Sequence, residues 1–217
     1  MGHEATAAQQ TVKASPMPGP ISGPTSDPGV SASARSAPSV YALRLHAAAG
    51  GMEAWLDHAA RLGFDHILLP TPFPALRDDP APLVLRHDAL IPGLTAGGDA
   101  AQPAATAVAA FAAACRDRGL AVLLDVVVDR IAASGPLAAE AAEVFAAPDL
   151  RDLPDPRGRV ASPEAALARA ADPQGAERLA SWWGARLAGW QAAGVAGFRL
   201  LGLRRLPAAV APALVAG

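Results

Sequence analysis

An apolar run at residues 120–127 is the segment around which the hydrophobic pattern of the chain is organised. Seven of its eight residues are apolar, and the charged residues Asp129 and Arg130 follow soon after it. A run of this kind is typical of a strand buried on both faces, as in a parallel sheet covered by helices. The pattern therefore predicts a central strand whose carboxyl end carries charge.

Two other segments repeat the layout of a helix-period stretch, a glycine and a short apolar strand. Gly63 and Gly194 precede apolar runs in the same way as Gly119 precedes the central one. A glycine at this point supplies the left-handed conformation that a chain needs when it turns straight back from a helix. Three such units predict an α/β architecture with a parallel sheet.

Apolar spacing predicts the remaining elements. Residues 40–46 alternate as a first strand, and residues 104–118 form a helix before the central strand. Asp172 and Pro173 fit the N-cap and N1 positions of a long helix that ends at Ala192. The predicted buried positions of the three helices are Met52, Trp55, Leu56, Ala59, Val108, Phe111, Ala112, Cys115, Leu179, Trp183, Leu187 and Trp190. Because the tryptophans follow the helical period, we expect them to pack in the core rather than stack on a sugar.

The connecting segments are less regular. We expect residues 134–173 to hold short helical pieces, one of them beginning with Ser162 as N-cap and Pro163 as N1, and residues 203–214 to form at most one helix. Residues 70–98 are a long proline-rich loop that leaves the carboxyl end of a strand, where parallel α/β folds build their sites. His87 and Asp88 are its best polar candidates, although the sequence favours a solvated turn for them over a functional role.

Composition limits the class of protein. The chain has 217 residues, of which 52% are hydrophobic, and this is enough for one well-buried domain. Residues 1–38 are rich in Pro, Ser and Ala without any period, so we expect a disordered leader before a domain at residues 39–217. The net charge of −2 has no blocks of like charge, and it argues against nucleic-acid and membrane partners.

Few residues indicate cofactor, metal or disulfide chemistry. The single cysteine, Cys115, is expected to be a small core residue, and neither His58 nor His66 has ligands at metal spacing. No signal-peptide layout and no apolar span of membrane length occurs, so we expect a cytoplasmic protein. No phosphate-binding loop or nucleophile elbow is found, and we expect no cofactor.

Two motifs resemble signatures of the α-amylase family, glycoside hydrolase family 13. Residues 125–130 read D-V-V-V-D-R and residues 197–203 read G-F-R-L-L-G-L, where the family has D-V-V-x-N-H on its third barrel strand and G-F-R-x-D on its fourth. The resemblance covers the chain from about residue 40 onward. Within the family it is similar to maltosyltransferases that extend α-1,4-glucan from maltose 1-phosphate, in their amino-terminal amylase-like region.

The resemblance assigns roles residue by residue. It implies that Asp125 and Arg199 line a substrate-binding floor, with Asp129 and Arg130 in the places of the family's Asn and His. Because each would otherwise place a charge beside a largely apolar sheet, we expect Asp125 and Arg199 to lie at the carboxyl ends of neighbouring strands and to pair. Leu201 stands where the family has its catalytic aspartate. A retaining glycosidase needs a carboxylate there, so we expect no catalytic residue in this chain.

These motifs lead to a prediction of fold and function. A complete (β/α)₈ barrel takes about 250 residues, so we expect a partial barrel of about four βα units. The expected function is that of an amylase-family domain in α-glucan metabolism that is not catalytic by itself. The expected ligand is α-glucan or maltose 1-phosphate, and the chain is expected to associate with itself or with a complete amylase-type domain. Two alternatives stay open. One is a non-enzymatic glucan-binding or scaffolding module that pairs with a complete amylase-type domain, and the other is an unrelated α/β enzyme using Asp125, Asp129 and Arg130.

Overall fold

The computed structural model describes residues 37–43, 51–92, 94, 102–147 and 163–215. Its strands and helices, in chain order, are β1 (Val40–Ala42), α1 (Met52–Arg61), β2 (His66–Leu69), α2 (Ala104–Arg116), β3 (Ala121–Val127), β4 (Arg130–Ala132), α3 (Pro136–Glu140), β5 (Phe145–Ala146), β6 (Ala165–Ala168), α4 (Pro173–Ala192), β7 (Val195–Leu201) and α5 (Val210–Val215). Most of the predicted leader, residues 1–36, lies outside the described part of the chain, as do residues 44–46 of the predicted first strand.

A four-stranded parallel sheet in the order β1-β2-β3-β7 forms the centre of the fold. The prediction for the central strand is confirmed, because β3 lies between β2 and β7. Each predicted helix-glycine-strand unit is also present, with φ of 81° at Gly63, 72° at Gly119 and 99° at Gly194. These angles allow each helix to end and the next strand to start within a few residues.

The two faces of the sheet differ in burial. Leu124 of β3 is 0% exposed and belongs to the hydrophobic core that includes α2 and α4. Phe198 of β7 lies on that same face, with its ring centroid 6.2 Å from that of Trp190 in α4. Since side chains alternate along a strand, Asp125 and Arg199 lie on the opposite face. That face therefore carries the motif residues.

The helices confirm the predicted packing. Leu56, Ala59, Val108, Phe111, Ala112, Cys115, Leu179, Trp183, Leu187 and Trp190 are all buried, and Met52 and Trp55 are partly buried against the same core. Asp172 caps α4 as predicted, because its Oδ1 accepts a hydrogen bond of 2.8 Å from the Gly175 amide. Among the described residues, no helix is long and apolar enough to cross a membrane.

The prediction for residues 134–173 is largely wrong. Apart from Pro173, which begins α4, only α3 is helical within its described residues. Its strands β5 and β6 join β4, just before it, in a three-stranded antiparallel sheet of order β4-β6-β5. Pro163 lies in a turn before β6 instead of starting a helix, and Ser162 is outside the described residues. The A-A-L-A sequence of β6 favours a helix intrinsically, but pairing with strands on both sides satisfies its backbone and overrides that propensity.

The loop after β2 packs against this small sheet. The Ala132 amide donates to the carbonyl of Val84 at 2.9 Å, and the Leu137 amide donates to that of Leu85 at 3.1 Å. A Cβ at Gly135 would lie 2.4 Å from the Leu85 oxygen, so only glycine allows this approach. The segments that follow β2 and β3 thus pack against each other at the carboxyl edge of the parallel sheet.

Beyond β7 the chain has two helical pieces instead of the single helix predicted. A 3-10 helix covers Leu203–Arg205, and α5 follows. Pro207 separates the two, and it interrupts helical hydrogen bonding because it has no amide hydrogen.

Candidate functional site at the carboxyl edge of the sheet

Asp125 and Arg199 are partners across β3 and β7 and form a bidentate ion pair. The guanidinium Nε donates to Asp125 Oδ1 at 2.6 Å and Nη2 donates to Oδ2 at 2.7 Å. The hydrogen bond to Asp125 raises the pKa of Arg199 above its ordinary value. The Asp125 side chain is 3% exposed whereas that of Arg199 is 58% exposed. The pair therefore joins a buried carboxylate to a cation that still reaches solvent.

Asp129 is a second buried carboxylate, just beyond the end of β3. Its side chain is 4% exposed, and its Oδ2 accepts a hydrogen bond of 3.0 Å from Nη1 of Arg205. Arg130 lies near its other oxygen, with Nε 3.9 Å from Oδ1, and this distance is too long for a hydrogen bond. Oδ1 itself has no hydrogen-bond partner among the described residues.

Gly202 explains how Asp129 fits at this position. Its φ of 84° lies in the left-handed region, which allows the chain to turn from β7 into the 3-10 helix. A Cβ on Gly202 would lie 1.9 Å from Asp129 Oδ1 and 2.3 Å from its Cγ. The carboxylate therefore occupies the space that any other residue at 202 would fill.

His87 is not the solvated turn residue that the sequence favoured. Its ring lies 4.8 Å from that of Phe73, 5.3 Å from Trp190 and 5.6 Å from Trp183, measured between centroids. Its Nδ1 is buried and has no hydrogen-bond partner among the described residues. Burial, together with the charge of Arg186, lowers the pKa of His87 to about 3. The ring is therefore neutral and packs with aromatic residues of α4.

Asp88 and Arg130 have other neighbours. Asp88 is exposed and pairs with Arg86 at 2.6 and 2.7 Å, and these hydrogen bonds lower the pKa of Asp88. Its carbonyl accepts a hydrogen bond from the Ala104 amide at the start of α2. Arg130 is in β4, paired in register with Leu167. The structure thus brings Asp125, Asp129, Arg130 and Arg199 to the carboxyl edge of the sheet. Asp88 instead makes its contacts within the loop after β2 and with the start of α2.

Sequence reasoning missed Arg205 and Gly202, which complete this edge. The signal for Gly202 was available, because a glycine directly after an apolar strand and before two arginines indicates a tight turn. No comparable signal existed for Arg205, whose carboxylate partner lies 76 positions away in the chain.

The last residue of β7 supplies no polar group to this edge. Leu201 is the register partner of Val127 at the end of β7, and its side chain is partly buried. An aliphatic side chain there offers neither a nucleophile nor a general base. Cys115 does not supply a nucleophile either. It is buried, and burial raises the pKa of its thiol to about 12. Within the described residues, no group of three or more His, Cys, Asp or Glu side chains is placed to hold a metal ion.

Sequence comparisons identify no relative. No family model matches the chain, and no curated protein matches it in sequence.

Solved structures do match the fold. The cyclic α-maltosyl-(1→6)-maltose hydrolase of Arthrobacter globiformis superposes with a TM-score of 0.54 at 18% identity, over 83% of this chain and 42% of that one. The α-amylase of Geobacillus thermoleovorans gives 0.51 at 14% identity, over 80% and 42%. The trehalose-6-phosphate hydrolase of Bacillus licheniformis gives 0.53 at 14%, over 75% and 34%. The chain therefore has the α/β fold found in amylase-type enzymes, and it spans less than half the length of each of these three.

Proposed function

We propose that this chain is an amylase-type domain of α-glucan metabolism that binds carbohydrate at the carboxyl edge of its sheet and does not cleave glycosidic bonds by itself. The shared fold and the Asp125–Arg199 pair support the binding role. The proposed lack of catalysis rests on one observation. Leu201, at the end of β7, stands where the amylase family has a carboxylate. We also propose that the protein lies in the cytoplasm, as expected from the sequence.

We infer that the parallel sheet corresponds to about the first four βα units of a (β/α)₈ barrel. The four parallel strands follow one another in chain order across the sheet, as consecutive barrel strands do. Asp125 and Arg199 lie on the face opposite α4, which is the face that a barrel would turn inward. Leu123 on this face is only partly buried, whereas Leu124 on the helical face is fully buried.

The proposed loss of activity follows from the chemistry of retaining glycosidases. These enzymes place a nucleophilic carboxylate about 5–5.5 Å from a second carboxyl group that acts as acid and base. At this edge the carboxylates of Asp125 and Asp129 are both engaged by arginines. A carboxylate introduced at position 201 would therefore lack a free partner, and residues that act as a unit are not restored one at a time.

Binding and turnover test the proposal separately. We expect calorimetric titration with maltoheptaose to show binding that Arg199→Gln weakens, whereas cellohexaose serves as the β-linked control. We expect no phosphate release from maltose 1-phosphate and no new reducing ends from amylose, with either the native chain or Leu201→Asp. Turnover above a boiled control contradicts the catalytic part. Equal heats for both oligosaccharides, or none, contradict the binding part.

The edge strand β7 favours a second candidate, a module that pairs with a complete amylase-type domain or with a second copy. Within the described residues β7 pairs with β3 on one side only, and its Phe198 and Leu200 are only partly buried. An unpaired parallel edge is a template for further pairing. Sedimentation velocity at rising concentration tests the self-association form, because a pure monomer at millimolar protein would argue against it.

A further inference from the structure

The last strand of the parallel sheet has a free edge. β7 pairs with β3 on one side, and no other strand of the described residues pairs with its outer side. The amide and carbonyl groups that point away from β3 therefore have no strand partner in this part of the chain. Phe198 and Leu200 are only partly buried, so the same edge exposes apolar side chains. An edge of this kind accepts a further strand.

Side chains of different character alternate along this free edge. Phe198 and Leu200 lie on the face that packs against α4, whereas Arg199 lies on the opposite face. The side chain of Arg199 is 58% exposed, and Asp125 takes only its Nε and Nη2, so Nη1 has no acceptor among the described residues. A strand added beside β7 would place its own side chains next to these in turn. Its residues would then meet apolar groups and a cation alternately.

Positive charge dominates the part of the chain that contains this strand. Residues 178–217 contain five arginines and none of the 20 acidic residues of the chain. Just beyond β7, Arg204 is exposed without a partner in the described part of the chain, and the side chain of Arg205 is 62% exposed. Asp125 and Asp129 are buried and offset part of this charge. The accessible charge beside β7 is therefore positive and complementary to an acidic partner.

We propose that the free edge of β7 binds an extended segment of a partner protein in which acidic and apolar residues alternate. The backbone of the segment continues the sheet, its apolar residues lie beside Phe198 and Leu200, and its acidic residues lie beside Arg199. In strand addition of this type, main-chain hydrogen bonds supply affinity and alternate side chains supply specificity. This binding is independent of the carbohydrate role, and it names the kind of segment that pairs with β7 in the second candidate function.

Fluorescence anisotropy of the full chain with a labelled peptide of alternating Glu and Val tests the site. A peptide of alternating Lys and Val is the charge control, and we expect it not to bind. Arg204→Glu should weaken binding of the Glu-Val peptide by at least about threefold, because it reverses an exposed charge just beyond the strand. Arg61→Glu is the matched control, because it makes the same charge change at an exposed arginine at the end of α1. We expect it to change the affinity less than about twofold.

Hydrogen exchange measured by mass spectrometry tests the strand addition itself. The Glu-Val peptide should slow amide exchange in β7, at residues 195–201, and leave exchange in β1, at residues 40–42, unchanged. β1 is the matched control because it is the other edge strand of the same sheet. Thermal unfolding of both arginine variants verifies that they fold.

The outcomes separate this site from the other functions. Peptide binding in a chain that binds no maltoheptaose supports the peptide site and contradicts the carbohydrate role. No binding of the Glu-Val peptide at millimolar protein, equal binding of the Lys-Val peptide, or equal affinities of the two variants overturns the peptide site. Binding without slower exchange in β7 overturns it as well. A dimer in sedimentation velocity whose β7 amides are already protected without peptide also overturns it and assigns the edge to a second copy.

Discussion

Arg199 holds Asp125 by two hydrogen bonds of 2.6 and 2.7 Å across neighbouring parallel strands, yet only the aspartate is buried. The sequence predicted this pairing, because both residues lie near the carboxyl ends of strands that the motifs placed side by side. Water reaches one partner and not the other.

Replacing Arg199 by Ala should lower the free energy of unfolding by about 2–3 kcal/mol, because it leaves the buried carboxylate of Asp125 without its partner. The matched control is Arg77→Ala, whose pair with Glu164 is 64% and 42% exposed and should contribute only about 0–1 kcal/mol. Urea unfolding of both variants gives the comparison. Equal losses would show that solvent already screens Asp125.

Replacing Gly202 by Ala should destabilise the protein more than the same change at Gly63. Both glycines have positive φ, 84° and 81°, so both variants carry backbone strain of about 1–2 kcal/mol. Only position 202 adds a collision, with the Asp129 carboxylate, and overpacking of this kind typically costs about 1–3 kcal/mol. The double variant Asp129→Ala, Gly202→Ala should lose less than the sum of the single losses. Thermal or urea unfolding measures the two glycine variants, Asp129→Ala and the double variant. Strictly additive losses would contradict a contact between position 202 and the Asp129 carboxylate.

His87 should make the folded state sensitive to acid. Its pKa is about 3 in the folded protein against 6.5 for the ordinary group, so between these pH values the unfolded chain binds more protons. Stability is therefore lost as the pH falls from about 6.5 towards 3, by up to about 1.4 kcal/mol per pH unit from this residue. His87→Phe should flatten that part of the profile, because the variant has no imidazole to protonate at this position. Unfolding of the native chain and of the variant at a series of pH values gives the comparison, and parallel profiles would contradict the prediction.

Cys115 should be unreactive while the chain is folded. Burial raises the pKa of its thiol to about 12, and the thiolate is the reactive form. A disulfide reagent at pH 8 should therefore modify the thiol at the rate of unfolding, and immediately in strong denaturant. Rapid modification of the native protein would show that α2 opens locally.

Local patterns predicted the elements that depend on local requirements. The three helix-glycine-strand units are present because a chain that reverses after a helix needs a positive φ, and glycine supplies it at Gly63, Gly119 and Gly194. The buried stripes of the helices are present because apolar spacing fixes which side faces a sheet. Residues 165–168 were predicted wrongly because their alanine content favours a helix, and only pairing with β4 and β5 makes them a strand.

At the carboxyl edge, the motifs were enough to predict that Asp125 and Arg199 lie on neighbouring strands, with a leucine at position 201. The place of His87 in an aromatic cluster and that of Asp129 between Gly202 and Arg205 became visible only in the folded chain. Strand register and helix period are short-range properties that each segment carries with it. Burial of a histidine or a carboxylate depends instead on which distant segments pack against it, and no local pattern encodes that.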